Sequence, residues 1–281
     1  MSSITADVTR SEGARSTARV PFTATLASEW TKLVTVRSTW ITLALAAVLS
    51  VGATALLSWI TGWSWREWSE ADRARFNPIE LSFVGTMVST ILFVVLGVSI
   101  VASEYASGMM RLTLTVTPRR GRIVLAKAVI ITVVTMVAGL IISIATFEVS
   151  QMILGAYDLP TARLGDSDAF RAVVLGVAVT GPVYPLIGVA LAFYFRSTAL
   201  AITTVLALIF LPSMVGALLP RRWQEDVLAW LPGQAADSVA IGHLYPDDPM
   251  YLHPFVGLVV AVAWVAGALV AATIVLNRRD A

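Results

Sequence analysis

Glu148 is the one acidic residue well inside an apolar stretch of this 281-residue sequence. A charge in such a stretch is costly to bury in lipid, which makes the residue a functional candidate by default. Its carboxylate has the chemistry to bind a cation or to carry a proton. Because Glu148 falls near one end of its stretch, it could equally reach water and have no special role.

No other pattern of residues gives a catalytic or metal site. Neither lysine lies in the Gly-Lys-Ser/Thr context with which a P-loop holds phosphates, and neither histidine begins a His-Glu-x-x-His pair. His243, Asp247, Asp248 and His253 are close in sequence, but their spacing matches no known metal site. Cysteine is absent, which excludes disulfides and thiolate chemistry. We therefore predict neither catalysis nor a metal or cofactor in this chain.

The composition indicates that lipid is the main solvent of the chain. Hydrophobic residues make up 57% and charged residues 14%, against about 45–50% and about 25% in an average soluble domain. The mean hydropathy is +0.78. The net charge of +2 is small, and no basic run suggests nucleic acid. A strong preference for Arg over Lys, with heavy use of Ala and Val, suggests a high-GC bacterial genome of actinobacterial type, and so a bacterial plasma membrane.

Six apolar stretches are long enough to cross a bilayer, which takes about 20 residues. They cover approximately 39–61, 79–103, 123–147, 172–195, 199–219 and 254–276. We predict an all-α membrane domain of six helices over residues 22–281. Residues 1–21 have no apolar periodicity and are predicted to be a disordered cytoplasmic tail.

The distribution of basic residues predicts the orientation. With the N-terminus inside, 13 of the 20 basic residues fall on the inner side of the membrane. Because basic residues resist translocation, we expect both termini to be cytoplasmic.

The segment from Phe22 to Arg37 has the period of an amphipathic helix. Its apolar residues fall near one helical face (Phe22, Leu26, Leu33 and Val34), and polar residues lie elsewhere (Ser28, Glu29, Lys32 and Thr35). This pattern predicts an elbow helix in the inner interface, with Lys32 and Arg37 reaching lipid phosphates. The alternative is a polar lead-in to the first span.

The inner loop from Glu104 to Arg122 combines an acid, a Gly108 break, an amphipathic piece and a Pro118 stop before a basic cluster. The apolar residues of that piece would be exposed to water unless a partner covers them. The residues alone leave two interpretations: a docking surface for a cytoplasmic partner, or a loop whose arginines only fix the topology.

Three stretches resemble the permease subunit of type-2 ABC exporters. The first is Ser28-Glu-Trp-Thr-Lys-Leu33. The second is the inner loop, which begins Glu104-Tyr-x-x-Gly108 and ends Thr117-Pro-Arg-Arg-Gly121, and the third is Arg196-Ser-Thr-Ala. The resemblance covers nearly the whole chain from about residue 24, although Met109 departs from the Thr or Ser that usually follows the glycine.

This resemblance implies that the inner loop is a coupling helix seated in a groove of a separate ATPase subunit, which would bind ATP and Mg. The implied coupling residues are Glu104, Tyr105, Gly108, Met109, Met110, Arg111, Pro118, Arg119 and Arg120. It also implies short re-entrant helices in the outer segment 220–254, with Pro232-Gly233 separating two of them. The alternative for that segment is an amphipathic loop on the outer surface.

The resemblance further implies two six-span chains, which we expect to be a homodimer, above two ATPase subunits. Spans two and five would line the pathway, for which helical spacing suggests Met87, Thr90, Thr204 and Leu208, with Glu148 as a further candidate. An apolar lining with a few hydroxyls suits efflux of an amphiphilic drug, antibiotic or lipid, as in antibiotic resistance. A carrier coupled to ions or protons through Glu148, and a non-transport sensor or immunity protein, are the alternatives.

Overall fold

The computed structural model describes residues 21–116, 119–216, 218–240 and 250–278, and the regular structure in these ranges is entirely helical. The prediction of an all-α fold is confirmed. In chain order the α-helices are α1 (Phe22–Thr35), α2 (Arg37–Ser64), α3 (Glu70–Arg75), α4 (Pro78–Phe83), α5 (Thr86–Ala106), α6 (Met109–Val116), α7 (Arg120–Ala156), α8 (Ser167–Phe170), α9 (Val177–Phe195), α10 (Thr198–Gly216), α11 (Arg221–Asp226), α12 (Pro232–Ala240) and α13 (Pro254–Arg278). Except for Pro21, the predicted tail lies outside the described residues.

Six helical segments are long and apolar enough to cross a membrane, as predicted. They are Arg37–Glu67, Pro78–Ala106, Arg120–Ala156, Ser167–Phe195, Thr198–Gly216 and Pro254–Arg278, here numbered spans one to six. Each contains its predicted stretch except span five, whose helix ends at Gly216 where the prediction continued to 219. The chain is a multi-pass membrane protein.

Spans two and four form the centre of the bundle, where α5 packs along α9. Gly97 of α5 lies against the backbone of Pro185, and Gly188 of α9 lies against the side chain of Val98. Small residues at both contacts let the two helices approach closely. The largest buried apolar cluster lies around this pair and includes residues of α7.

Spans five and six are the least buried of the six. Leu211 and Met214 of α10 are 55% and 74% exposed, and Val262 of α13 is 56% exposed. In a membrane protein such faces contact lipid or another subunit.

The two ends of the bundle differ in the short helices that lie there. Helices α1 and α6 lie at the end where spans one and three begin, which we name the α1 side. Helices α3, α11 and α12 lie at the opposite end, which we name the α12 side.

Helix α12 is inserted into the bundle and packs against α9 and α13. Ala235 and Ala236 are buried, and a Cβ on Gly233 would overlap the hydroxyl of Tyr184 on α9. Only glycine permits this close approach. The insertion favours the predicted re-entrant helix over a surface loop.

The predicted break at Pro232-Gly233 is wrong in detail. Pro232 is the first residue of α12, and the 3₁₀ turn Leu228–Trp230 separates that helix from α11. Proline is well suited to a first helical position, because its missing N–H would have no partner there anyway.

Candidate functional site

Gly108 makes the sharp turn between α5 and α6, where a break was predicted. Its φ of +71° lies in the left-handed region, which residues with a Cβ rarely adopt. The Gly108 N–H donates to the Tyr105 carbonyl at 3.2 Å, and the Ser107 N–H donates to the Ser103 carbonyl at 3.0 Å. A glycine just past the helix C-terminus thus ends α5 and sets the direction of α6.

Helix α6 divides its apolar residues between the protein interior and the exterior. Met110 is 1% exposed and Leu114 packs partly buried against the core. Met109 and Leu112 are 44% and 68% exposed, and Arg111 is exposed beside them. Large apolar side chains with an adjacent arginine are typical of a protein–protein contact surface.

Four charged side chains meet where α1, α5 and α7 converge, and we name Glu29, Lys32, Glu104 and Lys127 the ion cluster. Lys127 Nζ lies 2.6 Å from Glu29 Oε2 and 2.9 Å from Glu104 Oε1. Lys32 Nζ lies 2.6 Å from Glu29 Oε1 and 2.8 Å from Glu104 Oε1. The alternating charges therefore form a closed ring of charge-assisted hydrogen bonds.

Most of the ion cluster is buried. The side chain of Lys127 is 0% exposed, those of Glu29 and Glu104 are 1% and 6% exposed, and that of Lys32 is 33% exposed. Lys127 Nζ also donates to the Ile100 carbonyl at 3.0 Å, so all three of its donors have acceptors. Buried charges are tolerated when they are paired with good geometry, and removal of one partner is then strongly destabilising.

The ion cluster shifts the titration of its two members on α1. Burial by itself raises the pKa of Glu29, but the ammonium groups of Lys127 and Lys32 outweigh it and lower that pKa below its ordinary value. Burial by itself lowers the pKa of Lys32, but hydrogen bonds to Glu104 and Glu29 outweigh it and raise that pKa. Both groups are therefore charged at neutral pH.

A second contact ties the α5–α6 turn to the end of span four. The Tyr105 ring packs edge-on against Phe193 with centroids 6.4 Å apart, and the Arg196 guanidinium lies 5.3 Å from the centre of the same ring. Arg196 follows the last residue of α9 in a left-handed conformation. The stretches around Lys32, Glu104 and Arg196, which are distant in sequence, thus lie together on the α1 side.

The predicted coupling residues divide into an exposed set and an interior set. Met109, Arg111 and Arg119 are exposed, whereas Glu104, Tyr105 and Met110 face the interior. Arg120 donates to the Leu276 carbonyl at the end of α13. The Glu104 carboxylate does not reach the surface of α6 in this conformation, because it is buried and its Oε1 accepts hydrogen bonds from both Lys32 and Lys127. Pro118 lies outside the described residues.

The predicted faces of α1 need a correction. The buried residues of this helix are Thr25, Glu29 and Leu33, which recur every four positions along one stripe. Lys32 points towards Glu29 and Glu104, so the predicted contact with lipid phosphates is wrong for that residue. The counter-charge of Lys127, on a helix distant in sequence, is what allows Glu29 to face inwards.

Three of the predicted pathway residues line one cavity on the α12 side. Met87 and Thr90 of α5 and Leu208 of α10 lie on a cavity of about 400 Å³, here called the central cavity. A smaller pocket of about 100 Å³ shares its residues Phe83 and Thr180. Spans two and five thus meet at a solvent-accessible space.

The other two predicted pathway residues lie elsewhere. Thr204 lies on a separate apolar groove between α9, α10 and α13, which Leu208 also borders. Glu148 is exposed on α7 and lines neither the central cavity nor this groove. Among the described residues no group of three His, Asp or Glu side chains is placed to hold a metal. His243, Asp247 and Asp248 lie outside those residues.

Asp237 is an acid of the central cavity that the sequence analysis did not identify. It lies on α12, and its side chain is exposed to the central cavity. Desolvation by the protein atoms packed around that cavity raises the pKa of Asp237 to about 6, so the carboxylate is mostly ionised at neutral pH.

Two features of the sequence point to the lysines of the ion cluster and to Asp237, which were not predicted as site residues. Lys32 and Lys127 are the only lysines in a chain otherwise rich in arginine, and Lys127 lies inside a predicted apolar stretch. The pair of lysines therefore indicates sites at which a compact ammonium is required. Asp237 lies in the middle of the segment predicted to be re-entrant, where an acid would be drawn into the protein with the helix.

Comparison with known proteins gives one family. A model described as ABC-2 family transporter protein matches residues 25–212, a range that runs from the ion cluster through most of α10 and covers well over half of the chain. No curated protein matches the chain. The resemblance to type-2 ABC permeases is therefore confirmed, and the chain belongs to the ABC-2 family of transporter proteins as a membrane-spanning permease.

Proposed function

We propose that this chain is the membrane half of an ATP-driven exporter and that α6 is its contact with a separate ABC ATPase subunit. The observation on which this depends is the exposed surface of α6, where Met109, Arg111 and Leu112 project from a helix fixed at its base by Gly108. ATP and Mg would be bound by the ATPase, and this chain would supply no catalytic group.

The proposed orientation places the α1 side in the cytoplasm of a bacterial cell and the α12 side outside. The excess of basic residues on the α1 side supports this orientation. It also puts α6 where ATP and an ATPase are available. Both termini would then be cytoplasmic, and α1 would be the elbow helix at the inner interface.

The ion cluster would act as the joint that transmits motion of α6 to the spans. Glu104 is near the end of α5, two residues before the helix ends, and it is bound to Lys32 on α1 and Lys127 on α7. A push on α6 would therefore move three helices together instead of bending the α5–α6 turn alone. Such rigid-body shifts are a common way to change access to a membrane cavity.

Two copies of the chain would pair around a pathway lined by spans two and five. The exposed apolar faces of α10 and α13 and the meeting of α5 and α10 at the central cavity support this arrangement. The lining mixes threonine hydroxyls with Met87, Leu208 and Ile209, which suits an amphiphilic compound moved out of the cell. Glu148 has no part in this proposal, because it lies on neither described cavity.

The test is co-purification from detergent with an ABC ATPase subunit of the same genome. In Leu112→Asp a charge enters the proposed contact, and we expect ATPase recovery to fall at least about tenfold, as at interface hot spots. The matched control is Leu218→Asp, because Leu218 is 82% exposed but follows α10 on the α12 side. We expect it to leave recovery unchanged.

Hydrolysis of ATP by the purified complex is the second readout. Wild type and Leu218→Asp should both show activity, and Leu112→Asp should show none above background. If no ATPase associates with wild type, or if Leu112→Asp and Leu218→Asp behave alike, the proposed coupling surface is wrong.

A further inference from the structure

Asp237 is the only charged residue among those that line the central cavity and the smaller pocket beside it, within the part of the chain that the structure describes. The other polar groups of the lining are neutral hydroxyls and one amide, from residues such as Thr86, Thr90, Thr180 and Gln234. A single negative charge therefore sets the electrostatic potential of this space.

Within the part of the chain that the structure describes, the carboxylate of Asp237 has no counter-ion. None of the described residues forms a salt bridge or hydrogen bond with it. This differs sharply from Glu29 and Glu104, which the same fold pairs with lysines on the α1 side. An ionised carboxylate on a mostly apolar cavity attracts a positive charge, and a cation entering the cavity would supply its counter-ion.

The rest of the lining fits an organic cation better than a hydrated metal ion. The aromatic rings of Phe83 and Tyr184 border the cavity with Asp237, and aromatic faces attract quaternary and protonated amines. Met87 and Leu208 extend the lining as apolar surface along spans two and five. A volume of about 400 Å³ lies within the range of sites for drug-sized ligands.

We propose that the central cavity binds the positively charged head of an amphiphilic substrate, with Asp237 as its counter-ion and Phe83 and Tyr184 as its aromatic contacts. This inference rests on the proposed function, because it names the class of compound that the exporter would move. The apolar part of the same compound would lie along α5 and α10.

The first test measures binding by the full-length chain in lipid nanodiscs without an ATPase. The probes are two dyes of nearly the same shape. Rhodamine 6G is an ester that carries a fixed positive charge, and rhodamine 19 is the corresponding free acid and is a zwitterion. We expect the Kd of rhodamine 6G, measured by fluorescence anisotropy, to rise at least about tenfold in Asp237→Asn, as on loss of a buried charge partner. Binding in Asp237→Glu should stay near wild type.

The matched control removes an acid that lies on neither described cavity. Glu148→Gln should leave the Kd of rhodamine 6G unchanged, and rhodamine 19 should bind weakly to wild type and to Asp237→Asn alike. The inference is overturned if Asp237→Asn binds rhodamine 6G as wild type does, or if both probes bind wild type equally well.

A second measurement keeps the inference testable if Asp237→Asn fails to fold. The chain has no cysteine, so Thr90→Cys gives a single thiol on the central cavity and Met152→Cys gives one on an exposed residue of α7. Rhodamine 6G should slow maleimide labelling of Thr90→Cys and leave Met152→Cys unaffected. Equal labelling rates of Thr90→Cys with and without rhodamine 6G would overturn the inference.

The two proposals fail in different ways. If rhodamine 6G binds through Asp237 but no ATPase associates with the chain, the cation site stands and the exporter proposal falls. If an ATPase assembles through Leu112 but Asp237→Asn changes no Kd, the exporter proposal stands and the cation site falls.

Discussion

Lys127 is the residue on which the ion cluster depends most, because its ammonium contacts both carboxylates and is fully buried. Replacement by the similarly sized Met leaves Glu29 and Glu104 with only Lys32 between them. We expect Lys127→Met to lower the free energy of unfolding by about 3–5 kcal/mol. A thermal melt of the purified chain in detergent checks this as a fall in Tm.

Two comparisons isolate the charge effect in Lys127→Met. The exposed pair of Arg221 and Glu225, 2.7 Å apart, serves as the control, and Arg221→Met should cost less than about 1 kcal/mol. Adding Glu29→Gln to Lys127→Met leaves a neutral pair of Lys32 and Glu104 and should restore part of the Tm. An equal Tm for Lys127→Met and Arg221→Met would show that the ion cluster contributes no more than a surface pair.

Glu29 gives this region a defined response to acid. Its pKa is lowered in the folded protein from an ordinary value of 4.5, so its contribution is complete above that value and is lost as pH falls through the lowered pKa. We expect the Tm difference between wild type and Glu29→Gln to be constant from about pH 5 to pH 8 and to shrink below pH 4.5. A difference that stayed constant down to pH 3 would show that the lysines do not stabilise the Glu29 carboxylate.

The contribution of Lys32 to stability depends on pH in the opposite sense, because it is lost at high pH. Its pKa is raised from an ordinary value of 10.5, so its contribution is present below that value and is lost only above the raised pKa. Between the two limits Glu29 and Lys32 are both charged, and α1 should remain docked throughout the physiological range.

The positions of single residues could be predicted where the local sequence pattern determines them. The orientation of a side chain was missed where it depends on a partner distant in sequence. Gly108 was identified as a break because the turn depends on its own backbone. The resemblance implied spans two and five, and helical spacing along them placed Met87, Thr90 and Leu208, but not Thr204, on the central cavity. The inward orientation of Glu29 was missed because it depends on Lys127, which is 98 positions away in sequence. Glu104 was predicted to be a coupling residue, and in the structure its ionic partners are Lys32 and Lys127, inside the protein.

Helix α6 depends on the one turn that positions it, at Gly108. Gly108→Ala introduces a Cβ at a φ of +71°, which costs about 1–2 kcal/mol if the conformation is kept and otherwise reorients α6. We expect Gly108→Ala to reduce ATPase co-purification while the ion cluster stays intact and the Tm falls by no more than a few degrees. Gly52→Ala is the control, since Gly52 lies in α2 with open space around it, and there alanine should stabilise the helix slightly.

The long helices were predictable because apolar length alone identifies a bilayer crossing. The short helices were harder to predict, because α11 and α12 contain too few residues to show a clear helical periodicity of apolar side chains. Helix α12 owes its place to contacts that the sequence does not display, among them the approach of Gly233 to Tyr184. The composition of the segment did indicate that it would not be a solvated loop.

One helix, α5, joins the central cavity to the ion cluster. Thr86 and Thr90 at the start of α5 line the central cavity, and Glu104 near its end belongs to the ion cluster. A helix of 21 residues is about 30 Å long, so α5 reaches from one side of a bilayer to the other. A displacement imposed at α6 would therefore arrive at the cavity through a single rigid element.

The orientation of the molecule decides whether this route can be driven by ATP, and the absence of cysteine makes it directly measurable. In bacterial cells that express the chain without an ATPase subunit, we expect a membrane-impermeant maleimide to label Leu218→Cys in intact cells and Leu112→Cys only after permeabilisation, because basic residues hold the α1 side inside. Both residues are well exposed, at 82% and 68%, so a difference in labelling reports sidedness and not burial. Met110→Cys, where the native side chain is 1% exposed, should stay unlabelled in either condition. Labelling of Leu112→Cys in intact cells would put α6 outside, beyond the reach of cytoplasmic ATP, and the exporter mechanism would fail.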